Sequence, residues 1–240
     1  AYRSAIEDLD AAIAARVDDA EIHASRGAVY LHLGRWQASR ALDPTGSYDH
    51  AFADLEGALR IDPDNQARST LANAWLDRAD WVALTGEDPR PMLDRGIREH
   101  EENLRLHPGG IEARNSLAAV CLRRGQIEMN RGGEGAPYIE RGIALLGDVL
   151  EDTPRYRAAR MNRAVALLFL AGTEDAHGKD PRESLRKAID DLDRLTAEAT
   201  DDGGAFFNRA TVYVDLARAE VKRGGDATDL LRRAVDDAGR

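Results

Sequence analysis

The feature that most constrains this chain is a spacing. Short segments of one kind, "YRSAI", "YDHAF", "LDRGI", "IERGI", "LRKAI" and "LRRAV", begin at Tyr2, Tyr48, Leu93, Ile139, Leu185 and Leu231, each 45 or 46 residues after the last. A second series places a small residue at Gly27, Ala72, Ala118, Ala164 and Ala210 with the same step. Self-similarity at a fixed period of this size marks a chain built from stacked supersecondary units. The punctuation keeps the period too: Asp43-Pro44, Asp88-Pro89, Glu134-Gly135, Asp180-Pro181 and Asp226-Ala227. Asp ahead of Pro is a helix-start signal, because Asp accepts an orphan N–H and Pro has none to lose. At Asp180, Glu183 completes a capping-box-like arrangement. Gly86, Gly132, Gly133, Gly178, Gly224 and Gly225 lie just upstream and suit the left-handed ends of helices.

Each unit therefore reads as a long helix A, a tight Gly-Asp turn, a shorter helix B and a second turn at "IDPDN", "LHPGG" or "DTPRY". The A helices are expected near 20–40, 65–85, 110–131, 156–176 and 204–223. The B helices are expected near 2–16, 44–61, 89–106, 136–151, 181–198 and 227–238. The run "FFNRATVYVDLA" at 206–217 has strand-like composition, yet it shares its repeat positions with "MNRAVALLFLAG" and "ASRGAVYLHLGR". It reads as an A helix, with Ala210, Tyr213, Val214 and Ala217 as one apolar stripe. Leu9, Leu55, Leu146 and Leu192 are expected to fill the space between layers, and Trp36, Trp75, Trp81, Tyr2 and Tyr48 to pack in the core.

The small residue of each A helix, the larger one three later (Tyr30, Trp75, Cys121, Leu167, Tyr213) and the Tyr-x-x-Ala of helix B resemble tetratricopeptide repeats. So do the prolines closing helix B at Pro63, Pro108 and Pro154. The resemblance covers the whole chain and implies an all-α fold, an α-solenoid that coils antiparallel helix pairs into a right-handed superhelix. The family's usual unit is about 34 residues, so a period of 46 implies that helix A runs on for further turns, past Trp36, Trp81 and Ile127. HEAT-like stacking, with units of about 40 to 47 residues, is the alternative α-solenoid. The domain reading is one repeat array over 1–240: residues 1–19 as the helix B of a preceding repeat, then repeats at 20–63, 64–109, 110–155, 156–201 and 202–240.

Composition narrows the function. Ala, Leu, Arg, Glu and Asp dominate, and 33 basic against 43 acidic residues leave a net charge of -10. That balance argues against a general nucleic-acid or anionic-membrane binder, either of which needs a basic face. The single cysteine, Cys121, excludes an internal disulfide and fits a reducing, cytoplasmic setting; at its repeat position it reads as core. No apolar run is long enough to span a bilayer. The chain opens inside an amphipathic pattern, which reads as a piece of a longer protein. The six His show no paired metal-ligand spacing and the Gly-rich turns lack a P-loop Lys-Ser/Thr, so no metal, cofactor or catalytic residue is expected. Carboxylate pairs such as Asp190-Asp191 read as solvated faces.

In the tetratricopeptide resemblance the A helices line a concave surface that binds peptides or partner helices. The candidate groove residues are Arg68, Asn73, Arg114, Asn115, Arg123, Arg160, Asn162, Arg163, Asn208 and Arg209, donors suited to a peptide backbone or a carboxylate. Those arginines have a second reading, pairing with Asp and Glu of adjacent repeats. The expected function is a non-catalytic scaffold binding a protein or peptide. The alternatives are a structural module that self-associates through its end helices, giving a homo-oligomer, and an accessory region of a bacterial signalling enzyme such as a protein kinase.

Overall fold

A computed structural model of the chain describes residues 2–15, 19–199 and 201–240. The described residues are helical with tight turns and contain no strand. The A helices are α2 (Ala20–Ala38), α4 (Ala67–Thr85), α6 (Ile111–Asn130), α8 (Arg157–Ala176) and α10 (Gly203–Lys222). The B helices are α1 (Tyr2–Ala14), α3 (Thr45–Ile61), α5 (Arg90–Leu106), α7 (Ala136–Asp152), α9 (Arg182–Glu198) and α11 (Thr228–Ala238). The expected end of the first helix at Arg16 lies outside the described residues.

The turns explain the helix limits. Gly86, Gly132, Gly178 and Gly224 have φ between +72° and +86°, a conformation that costs an L side chain about 1 to 2 kcal/mol. Ala41 takes the same place after α2 at φ +55°. The residue after the left-handed position closes a Schellman bond in four of these turns: Leu42 N–H to the Gln37 carbonyl, Gly133 to Glu128, Lys179 to Glu174 and Gly225 to Glu220, at 2.8 to 2.9 Å. Asp43, Asp88, Asp180 and Asp226 then accept the backbone N–H two residues on, at 2.9 to 3.2 Å. Arg182 also bonds the Asp180 side chain, and chiefly through that bond its carboxyl is held down at about 2.

The chain forms two compact units, Ala1–Val120 and Cys121–Arg240. In the first, α1 to α5 pack in chain order and α2 also meets α4. In the second, α7 to α11 do the same and α8 meets α10. Each unit is thus a stack of antiparallel helix pairs, the architecture of an α-solenoid. Small residues allow the close approach. A Cβ on Gly27 would stand 2.8 Å from Leu55 Cγ, and one on Gly34 would stand 2.6 Å from the Tyr48 ring. Ala72, Ala79, Ala118, Ala164 and Ala171 hold the equivalent places and are buried.

Leu55, Leu146 and Leu192 are fully buried, each side chain contributing about 1.5 to 3 kcal/mol. Leu9 is only half-buried, and α1 has no buried residue. Tyr48 is buried against Gly34 of the preceding A helix, whereas Tyr2 is exposed. No A helix precedes α1 among the described residues, so the expectation that Tyr2 is core fails there. Trp36 fails for the same reason. Its counterpart Trp81 packs back onto the core formed with α2 and α3, while Trp36 is 41% exposed beneath the Arg40 guanidinium at 5.1 Å. Trp75 stacks on Phe52 with centroids 4.0 Å apart. In α10, Ala210, Tyr213 and Ala217 are buried but Val214 is exposed. The core-facing arc there takes in Val212 and Leu216 instead.

Candidate functional site

In the first unit an open groove of about 840 Å³ lies across the opening turns of α2, α4 and α6. Residues from equivalent repeat positions line it. Ala24 and Ser69 occupy one position, Ser25 and Thr70 the next, and Glu21, Gln66 and Glu112 a third, at steps of 45 or 46. Turn residues Asp64, Asn65, His107 and Gly109 close one side. Asn65 is spent on capping α4, its side-chain oxygen accepting the Ala67 N–H at 2.8 Å. His107 Nε2 stands 3.1 Å from an Asp64 carboxylate oxygen. Asp19 caps α2 by accepting the Glu21 N–H at 2.8 Å. First-turn acids such as Glu21 and Glu112 complement the positive end of the helix dipole, which makes these sites tolerant of negative charge.

Nine of the ten sequence candidates fall on two strips. Asn73 shares a repeat position with Ala28, Asn115 with Ala24 and Ser69, and Asn162 and Asn208 with Ser25 and Thr70, all positions that line the groove in the first unit. Arg68, Arg114, Arg160, Arg163 and Arg209 stand on the neighbouring strip, toward helix B, whereas Arg123 shares its repeat position with His32 and Asp77. Arg163 makes a two-pronged bond to Asp191 at 2.7 and 2.8 Å. Arg209 grips Asp237 at 2.7 Å through two nitrogens and reaches Asp193 of the preceding B helix at 2.8 Å. Arg26 does the same with Asp54 at 2.8 and 2.6 Å and with Asp10 at 2.6 Å. In each clamp the partners are 28 residues apart.

Three positions nearer the start of the helix, Arg68 bonds Glu99 at 2.8 Å. The buried Arg160 reaches Asp191 at 3.3 Å and the Pro154 carbonyl. Bonds to Asp54, Asp191 and Asp237 raise the Arg26, Arg163 and Arg209 guanidiniums above their ordinary value, so they stay charged at any accessible pH. Arg114 is half-buried at the position of Arg68 and Arg160. Arg123 bonds Gln126 at 3.0 Å, and Asn208 contacts the Met161 sulfur at 3.3 Å.

Sequence reasoning missed Glu21, Glu112, Ser25, Ser69 and Thr70, although the repeat step itself aligns them. It also missed His100. Counting 45 on from Leu55 places that residue in the slot of the interlayer leucines. His100 is fully buried with neither ring nitrogen bonded, and burial pushes its pKa down to about 4. Cys121 is buried. Among the described residues no three acidic, His or Cys side chains cluster as a metal site, and no helix is long and apolar enough to cross a membrane.

Antiparallel helix pairs, small residues at each crossing and a polar strip along the A helices define a fold of the tetratricopeptide-repeat kind. No protein-family model matches the sequence, and no curated protein matches it. Solved structures do. A human IFIT1 dimer with PPP-AAAA aligns over 98% of this chain and 44% of its own, at 16% identity and TM-score 0.52. MamA from Desulfovibrio magneticus RS-1 aligns over 88% of this chain and 93% of its own, at 15% identity and TM-score 0.49. YrrB, described as a TPR protein with an unusual peptide-binding site, aligns over 97% of this chain and 93% of its own, at 18% identity and TM-score 0.48.

Proposed function

We propose that this chain is a non-catalytic scaffold that takes an extended peptide, or an extended segment of a partner protein, along the polar strip of its A helices. The observation that carries the reading is the groove across α2, α4 and α6. Among its hydroxyl side chains Ser25 and Thr70 recur at one repeat step and Ser69 stands beside Thr70; among the described residues none of the three makes a side-chain bond. Side-chain amides and hydroxyls at regular spacing suit the alternating donors and acceptors of an extended backbone. By repeat equivalence Asn73 and Asn115 fall on that strip in the first unit, and Asn162 and Asn208 hold the matching positions of the second. Arg68, Arg160, Arg163 and Arg209 support it from behind by fixing each A helix to its B helix.

The test is selection of random peptides about twelve residues long on the full chain, a length that spans the groove when extended. Each binder is then measured on Ser69→Trp and Ser25→Trp, which fill the groove, with helicity checked by circular dichroism. Binders that lose affinity on both variants support the reading; binders indifferent to both contradict it. A specific observation favours self-association as a second reading. Phe207 and Val221 of α10 are 71% and 61% exposed, and Val235 of α11 is 72% exposed, large apolar side chains of the kind that oligomer interfaces cover. Light scattering that shows a monomer at high concentration would remove it.

A further inference from the structure

Arginine and asparagine donors along the A helices would favour a carboxylate-bearing ligand. The side chains that line the groove have the opposite character. Glu21, Asp64 and Glu112 come from three separate elements, the first turn of α2, the turn before α4 and the first turn of α6, and among the described residues no Lys or Arg lines the groove. His107, which also lines the groove, stands against Asp64. The nearby arginine Arg68 is turned away into its bond with Glu99.

We infer that the groove of the first unit selects a basic extended segment, with two Lys or Arg side chains received by Glu21 and Glu112 and the intervening backbone held by Ser25, Ser69 and Thr70. This inference rests on the proposed peptide-binding function and names its ligand class. Charge complementarity carries it. Both glutamates are exposed, and among the described residues neither side chain has an ion-pair or hydrogen-bond partner, so each carboxylate can accept from an ammonium or guanidinium. The corresponding positions in the second unit are Ala158 and Gly204, so the preference belongs to the first unit alone.

The same random-peptide selection tests the point, because it reports composition as well as binding. Groove-dependent peptides are expected to be enriched in Lys and Arg. The double variant Glu21→Gln with Glu112→Gln is expected to weaken them about tenfold at low salt, two exposed ion pairs together being worth about 1 kcal/mol or a little more. Glu56→Gln with Glu151→Gln, on exposed positions of α3 and α7 outside the groove, should leave affinity unchanged. Groove-dependent peptides with neutral or acidic composition would overturn the charge preference and leave the scaffold function standing, as would basic peptides that bind the double variant equally well. A selection that returns no groove-dependent peptide would overturn both.

Discussion

The helix pairs α4/α5 and α8/α9 solve one packing problem with different chemistry. In α8/α9, Arg160 and Arg163 converge on the buried Asp191, and Leu192 beside it fills the interlayer space. In α4/α5, Leu71 stands where Arg163 does and is buried, Arg68 alone meets the more exposed Glu99, and His100 occupies the leucine slot. Both pairs close. The comparison teaches that small residues and apolar side chains at the crossing make the helix pair, while the ionic clamp is an addition that becomes binding once its charges are buried.

The largest expected effect breaks the clamp. Asp191→Ala strands a buried guanidinium and a half-buried one, and should destabilise the chain by about 3 to 5 kcal/mol, read as a lower urea midpoint. Glu99→Ala is the matched change in α4/α5 and comes last in size. A loss for Asp191→Ala no greater than that for Glu99→Ala would erase the contrast.

His100→Leu sharpens the comparison by giving α5 the leucine of α9. It should stabilise the fold at neutral pH by about 1 to 3 kcal/mol, because two buried nitrogens no longer forgo their bonds. The larger signature is in pH. The imidazole titrates near 6.5 when unfolded and at about 4 when folded. Above pH 6.5 both states are neutral and the group makes stability independent of pH. Between 6.5 and 4 only the unfolded chain takes up the proton, so the native state loses about 3 kcal/mol over that window. Urea titrations at pH 7 and pH 4 should show a loss in the parent chain that is smaller by about that amount in His100→Leu.

Ala164→Leu tests the crossing itself. Ala164 is almost wholly buried at the contact of α8 with its neighbours, and the added carbons should cost about 1 to 3 kcal/mol; an unchanged midpoint would contradict the register. Glu99→Ala should cost about 1 kcal/mol, since the partly exposed Arg68 can turn to water.

The sequence made the helices legible because several independent signals share one period: the small residues, the prolines, the left-handed glycines and the capping aspartates. It made the groove only partly legible. Asn162 and Arg163 are adjacent in sequence, yet one shares its position with groove-lining Ser25 and Thr70 while the other faces α9. Successive residues turn by about 100°, and only the packed neighbour decides which side becomes surface. Tyr2 and Trp36 were misread because a repeat position implies burial only where the adjacent helix is present. His100 was hidden by its polar neighbours in "REHEENL", where residue type outweighed register.

Peptide binding along the A helices is tested most directly by amide chemical-shift mapping of the full chain as a selected peptide is added. Shifts are expected to concentrate at Ser25, Ser69, Thr70 and Asn73, on the strip shared by α2 and α4, with α3 and α5 largely silent. Shifts centred on the α3 and α5 faces, with those four residues unmoved, would contradict it.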